Sequence, residues 1–317
     1  MQTLVYILSA GSAYPENIIK NDLLNTINEF GISQRYSVLP VEYISFEKNQ
    51  DITKAKKLSN ITTSDLGYKS IVMALDRINL STTDIGLLIG ESSTPDQVTP
   101  GESNRVGARL GFNGPAYDIV CPSSSFILFI NNFLSWKEER LDKNIVCFST
   151  NTPTQFTNFK NKDCGYFGDS ASSLVVSGSK APGFKVIASQ INFIPCKSSL
   201  LTLPVTDYIN FNPDIFEELY YESLKLFKNS FAFAKDSKIA IIPPYLTTSL
   251  TNKFIKELAF KNYKVFSNFE TTGNCLGSNG INCLADNWEE IYQNYDRLIV
   301  FQAGAGLSCG YFYCEKV

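Results

Sequence analysis

The sequence of 317 residues contains no histidine. Histidine is the side chain whose ordinary pKa lies nearest neutrality, so it is the usual proton shuttle and general base. Its absence excludes Ser-His-Asp and Cys-His mechanisms carried by this chain alone. It also removes the imidazole ligand of the commonest zinc sites, and none of the eight cysteines stands in a CxxC pair that could replace it. No metal and no resident cofactor is therefore expected. Basic runs are missing too: Lys and Arg are dispersed, with only short pairs such as Lys56-Lys57, and the formal net charge is −3. That balance argues against a nucleic-acid partner. No apolar run approaches the ~18–20 residues of a membrane helix. The apolar opening, MQTLVYILSAGSAYPEN, lacks a basic leader and meets Gly11 and Pro15 early, so it predicts a first strand and neither a signal peptide nor a membrane anchor. Cys121, Cys147, Cys164, Cys196, Cys275, Cys283, Cys309 and Cys314 lie scattered in apolar contexts, as reduced and mostly buried thiols of a cytoplasmic protein would.

What is present is enough apolar residue, 44%, for one large core or two fused ones. Short apolar runs predict strands at 4–8, 85–90, 117–120, 145–149, 173–176, 185–189, 239–242, 264–266, 298–302 and 310–314. Between them, 3.6-residue spacing predicts helices over 64–77, 103–110, 123–136, 214–233, 247–260 and 279–295. Such alternation predicts an α/β protein with helices covering mixed sheets. The two halves follow the same order of elements, each with a small-residue turn opening a helix, at Pro122–Ser125 and Gly273–Gly280. This predicts a duplicated βα unit with halves at residues 1–180 and 181–317.

Four segments stand out as chemistry-bearing. In the run from Tyr117 to Phe126 a buried strand turns directly into an apolar helix, which places Ser123 near unpaired N–H groups that stabilise an anion. A serine there is equally an ordinary N-cap. Phe167-Gly168-Asp169-Ser170-Ala171-Ser172 is a glycine turn feeding a strand of small residues. Thr272-Gly273-Asn274-Cys275 brings an amide side chain to a helix mouth, and Ala303-Gly304-Ala305-Gly306 lets backbone approach a ligand closely.

In this order, and with Ser9-Ala10-Gly11, Gly31-Ile32-Ser33-Gln34-Arg35, Thr63-Ser64-Asp65-Leu66-Gly67 and Leu110-Gly111, these segments resemble the β-ketoacyl-acyl-carrier-protein synthase III branch of the thiolase superfamily over nearly the whole chain. The resemblance implies a thiolase-like fold, duplicated halves in a five-layer α/β/α/β/α sandwich, working as a dimer. The family nucleophile is a cysteine five residues after the strand aspartate. Counting from Asp118 places Ser123 there, while Cys121 falls two residues early. The family histidine follows a strand ending in Val-Pro, and the corresponding position after Ile242-Pro243 is Pro244. The family asparagine is matched by Asn274, and the backbone N–H groups of Ser123 and Ala305 match the oxyanion hole.

Condensation in this family acylates the nucleophile and then decarboxylates a malonyl unit while His and Asn stabilise the enolate. Loss of one such donor commonly costs ~10²–10³ in rate. Serine is also a weak nucleophile without a base; Tyr245 has an ordinary pKa of ~10, poorly matched to that task, and Cys121 and Cys275 are stand-in nucleophiles to be weighed against the commoner fate of a buried structural thiol. The family's coenzyme A clamp falls on the stretch holding Asn25 and Glu29, its carrier-contacting arginine corresponds to Ser249, and Thr99 stands where a dimer partner inserts a bulky residue into the acyl pocket. Two readings follow. One is a non-catalytic subunit of fatty-acid or polyketide-type specialised metabolism, forming a homodimer or a heterodimer with an active ketosynthase paralogue. The other is a Ser123-dependent acyltransferase drawing on acyl carrier protein or acyl-coenzyme A. Hydrolysis or simple binding of an acyl ligand is a third.

Overall fold

A computed structural model describes residues 4–24, 30–44, 48, 51–59, 61–136, 143–204, 207–228 and 237–317. The strands are β1 (Tyr6–Ala13), β2 (Asn17–Lys20), β3 (Gln34–Ser37), β4 (Ile85–Glu91), β5 (Ala116–Asp118), β6 (Asn144–Asn151), β7 (Ser170–Ser177), β8 (Phe184–Phe193), β9 (Leu201–Thr202), β10 (Asn210–Phe211), β11 (Ile239–Ile242), β12 (Tyr263–Val265), β13 (Arg297–Gly304) and β14 (Ser308–Lys316). The helices are α1 (Ile52–Leu58), α2 (Thr63–Asp76), α3 (Glu102–Leu110), α4 (Ser125–Ser135), α5 (Ile215–Lys228), α6 (Thr248–Leu258), α7 (Phe269–Thr272), α8 (Ile281–Asp286) and α9 (Trp288–Asn294).

Ten strands join in the order β12-β11-β13-β14-β8-β1-β7-β6-β4-β5. On the first half's side, β4 pairs parallel with β5 and β6, and β7 pairs antiparallel with β6 and β1. On the other side, β11 pairs parallel with β12 and β13, and β14 pairs antiparallel with β13 and β8. The connectivity of one side thus repeats in the other. Within the sheet the two sides join where Tyr6 and Ile7 of β1 pair with Lys185 and Phe184 of β8.

Burial explains the layers. Every residue of β7 is buried, as befits a strand with helices on both faces, and its small side chains let those helices approach. The apolar α4 supplies Phe126, Phe129 and Phe133 to a core shared with Ile281 and Leu284 of α8 and with strands of both sides. A helix apolar on so many sides belongs in an interior layer. Ile71, Leu75 and Val106 of α2 and α3 cover the outer face of the first sheet, and Leu219, Phe254 and Ile255 of α5 and α6 cover that of the second. The fold is the thiolase-like α/β sandwich anticipated from the sequence.

Local differences have identifiable causes. The helix expected over 279–295 begins at Ile281, because Gly280 has φ 76°, and breaks at Asn287, whose side chain donates to the carbonyl of Cys283 at 2.9 Å. The helix expected from Ser123 begins at Ser125. The pair β2–β3 and the short helices α1 and α7 were not anticipated, and the expected helix end at 229–233 lies outside the described residues. No helix among the described residues is long and apolar enough to cross a membrane.

Candidate active site

The turn after β5 is fixed before it reaches Ser123. Asp118 accepts from the N–H of Ser103 at 2.8 Å, anchoring the strand end to the start of α3. The chain then passes through Cys121 and Pro122 and places Ser123 at φ 65°, a left-handed conformation that costs a non-glycine residue energy and tends to mark functional positions. Ser123 is 1% exposed and packs on Gly304, where an added Cβ would fall 2.3 Å from its Cβ and Oγ, so only glycine fits beneath it. The Ser123 hydroxyl has no hydrogen-bond partner among the described residues.

Ser123 is therefore not an N-cap. The cap position of α4 belongs to Ser124, which makes no capping bond either. The work is done from β13: Gln302 Oε1 accepts from the N–H groups of Phe126 and Ile127 at 3.1 and 3.3 Å, and its Nε2 donates to the carbonyls of Gly277 and Asn279 at 3.0 and 2.7 Å. One buried amide thus ties the serine turn to the asparagine turn. Gln302→Leu keeps the size and removes all four bonds, so a loss of about 2–3 kcal/mol is expected in urea unfolding. An unchanged midpoint would show that the amide does not hold the two turns.

The amide N–H groups of Ser123 and Ala305 have no acceptor among the described residues. A cavity of about 260 Å³ lies alongside, lined among others by Ser92, Ser93, Val120, Pro122, Leu276 and Ala305. Ala305 lines this mostly apolar space and Ser123 packs on the adjoining Gly304, so two free donors of the kind that stabilise an oxyanion belong to neighbouring turns.

Asn274 is held differently. Its N–H donates to the carbonyl of Tyr166 at 2.8 Å and its carbonyl accepts from Gly168 at 3.0 Å, which clamps the turn to the glycine motif before β7. Its Oδ1 accepts from the N–H of Leu276 and from Asn279 Nδ2, both at 2.8 Å. Its Nδ2 donates to Tyr166 Oη at 2.8 Å, and that phenol donates in turn to the carbonyl of Tyr245 at 3.3 Å. Tyr166 is 2% exposed and stacks on Phe211 with ring centroids 5.1 Å apart and planes 13° apart. Burial pushes its pKa upward, so the phenol stays protonated at neutral pH and acts as a fixed bridge between Asn274 and the segment carrying Pro244. Pro244 is buried and lines a separate cavity of about 480 Å³ with Tyr245, Thr248, Phe269 and Glu270.

The alternative groups weighed from the sequence are poorly placed. Burial pushes the Cys121 thiol up to about 12, with Glu91 adding to the shift, and it pushes Cys275 upward as well. Neither offers a thiolate at neutral pH. Tyr245 is raised well above the ordinary phenol value, again by burial, and its hydroxyl donates to Asn268 Oδ1. Cys121, Cys147, Cys164, Cys275, Cys283, Cys309 and Cys314 are free and buried. Thr99 and Ser249 are exposed, while Asn25 and Glu29 lie outside the described residues. Sequence reasoning missed Tyr166, Gln302 and Glu91. Of these only Glu91 carried a signal, as the one charge closing the apolar run Ile85–Glu91.

No family profile matches the chain. It is similar to a protein named β-ketoacyl-[acyl-carrier-protein] synthase III of Clostridium perfringens, 25% identical across 96% of this chain and 97% of the other. Its fold is like that of 3-oxoacyl-[acyl-carrier-protein] synthase III from Aquifex aeolicus, with a TM-score of 0.84 at 20% identity over 98% of this chain and 99% of the other. It is also like that of the priming β-ketosynthase from the R1128 polyketide biosynthetic pathway, with a TM-score of 0.80 at 15% identity over 99% and 97%. The chain is ketosynthase III-like in sequence over nearly its whole length and thiolase-like in fold.

Proposed function

We propose that this ketosynthase III-like chain is a cytoplasmic subunit of fatty-acid or polyketide-type metabolism that does not itself condense, and that it pairs with an active ketosynthase paralogue. The observation that carries this reading is the bridge from Asn274 through Tyr166 to the carbonyl of Tyr245. In the resemblance, an asparagine and a histidine face the reacting thioester. Here the asparagine amide faces a buried phenol, and the histidine position is Pro244, which has neither a titratable group nor an N–H to donate. The chain is read as two halves, residues 1–180 and 181–317. The pairing is supported by the sheet edge at β5, where Tyr117 and the following Val120 are exposed, and by the exposed Val98 on the neighbouring loop. Exposed strand edges with apolar side chains invite a second sheet. Co-expression with a ketosynthase paralogue from the same genome tests this: a heterodimer is expected, and a stable homodimer that condenses acyl and malonyl thioesters unaided would overturn the reading.

A second reading, Ser123-dependent acyl transfer, is favoured by the strained φ of Ser123, its unpartnered hydroxyl and the free N–H pair with Ala305. Intact-mass spectrometry after incubation with acetyl-, hexanoyl- and malonyl-coenzyme A separates the two. Under the first reading no adduct forms, because no base activates the hydroxyl. An adduct that disappears in Ser123→Ala would install the second reading in its place.

A further inference from the structure

The cavity next to the Ser123 turn is apolar through Val120, Leu201, Leu203, Ile209 and Leu276, but two serines interrupt that lining. Ser92 and Ser93 line it immediately after β4. Ser92 is 7% exposed and its hydroxyl has no partner among the described residues. An unpaired hydroxyl so deeply buried is costly unless something else satisfies it. Ser93 differs, because its hydroxyl donates to Glu91 Oε1 at 2.5 Å.

The direction of that bond follows from the groups behind it. Asn151 Oδ1 accepts from the N–H of Ser93 at 2.7 Å, which sets the amide so that its Nδ2 donates to Glu91 Oε2 at 3.0 Å. Ser149 also donates to Oε2, at 2.5 Å. Glu91 is fully buried and receives three hydrogens, a set that suits a carboxylate, which only accepts. Ser93 has one hydroxyl hydrogen and gives it to Glu91. What Ser93 offers any further ligand is therefore lone pairs alone, whereas Ser92 can donate or accept.

We infer that this cavity selects a short acyl chain bearing a hydroxyl group, the hydroxyl donating to Ser93 and accepting from Ser92. The inference rests on the reading that the cavity holds an acyl group, and it adds which one. An unsubstituted chain leaves the buried Ser92 hydroxyl without a partner. A keto group, which only accepts, can satisfy Ser92 but sets its lone pairs against those of Ser93. A hydroxyl matches both. The volume of about 260 Å³ lies below the usual range for small-molecule pockets, which limits the chain to a short one.

The test compares N-acetylcysteamine thioesters of hexanoate, 3-hydroxyhexanoate, 5-hydroxyhexanoate and 3-oxohexanoate in calorimetric binding to the intact protein. One of the two hydroxyacyl thioesters is expected to bind about tenfold tighter than hexanoyl and than 3-oxohexanoyl, the effect of one well-made buried hydrogen-bond pair. Ser93→Ala, a small change at the cavity wall, is expected to bring 3-oxohexanoyl within about threefold of the hydroxyacyl forms, because Ser92 alone then meets either oxygen. Glu91→Gln serves as a second variant: its amide can donate to Ser93 and free that hydroxyl's hydrogen, so the preference over the 3-oxo chain is expected to shrink. If hexanoyl binds within threefold of both hydroxyacyl forms in the wild-type protein, or 3-oxohexanoyl binds tightest, the selection is refuted while acyl binding stands. If none of the four binds, acyl binding falls as well.

Discussion

In a Ser123→Cys/Pro244→His/Tyr166→Ile triple variant, decarboxylation of a malonyl thioester is expected to run about a hundredfold faster than in the Ser123→Cys/Pro244→His double variant. Decarboxylation needs hydrogen-bond donors at the oxygen where the enolate charge grows, and a donor of this kind is commonly worth ~10²–10³ in rate. Restoring the thiol and the imidazole leaves the other donor unavailable. Asn274 Nδ2 already donates to Tyr166 Oη, and the ring is packed against Phe211, Phe216 and Phe269, so it stays in front of the amide. Isoleucine removes the phenol and its bridge to the carbonyl of Tyr245 and leaves an apolar side chain that cannot compete for the amide. Release of labelled carbon dioxide from malonyl-coenzyme A measures the step without requiring a condensation partner. Equal rates in the double and triple variants, both above wild type, would show that Tyr166 does not obstruct Asn274 and would withdraw the main support for a non-condensing subunit.

The same residues mark how far the sequence could be read. The alternation of strands and helices was legible because each is set by local spacing. So was the order of glycine turns at Phe167–Ser170 and Ala303–Gly306, where backbone shape dictates residue type. Ser123, Asn274 and Ala305 could be singled out by their place in those turns. Tyr166 could not, since an aromatic residue ahead of a buried strand is ordinary and its meaning comes from Asn274, 108 positions further on. Gln302 reads as a polar break in a buried strand until the first turn of α4 is seen to face it. The choice between cap and nucleophile at Ser123 was open for the same reason: the cap that excludes the first reading lies 176 positions away from Phe126. What sequence conceals here is pairing between the two halves, because such pairs carry no spacing signature.

Buried carboxylates of the first half govern the pH dependence of stability. Urea unfolding is expected to show a more stable protein at pH 5.5 than at pH 8, opposite to a protein whose buried carboxylates are well paired. Asp169 is fully buried and is pushed up to about 7 by desolvation, although Thr154 and the N–H of Val38 hydrogen-bond to it and Arg35 lies near. Glu102 is likewise pushed up to about 7 by burial, only partly opposed by Arg105 and Thr63, and its Oε1 has no partner among the described residues. The unfolded chain releases these protons near pH 4. Between about pH 4 and 7 the folded state therefore binds more protons than the unfolded state, and stability falls as pH rises through that window. The contribution is complete below about pH 4 and is lost on passing 7. Each raised pKa unit corresponds to about 1.4 kcal/mol, so Asp169 and Glu102 contribute on the order of 3 kcal/mol apiece across the window. Carboxylates with lowered values, Asp51, Asp65, Asp84 and Glu257, act in the other direction but only below their ordinary range, outside the interval compared. Glu102→Gln places an uncharged amide where Arg105 and Thr63 still reach its oxygen, and it should flatten the slope by about half while leaving the protein folded. A slope of the opposite sign, or one that Glu102→Gln leaves intact, would mean that these carboxylates are already ionised in the folded chain and that water or a ligand reaches them.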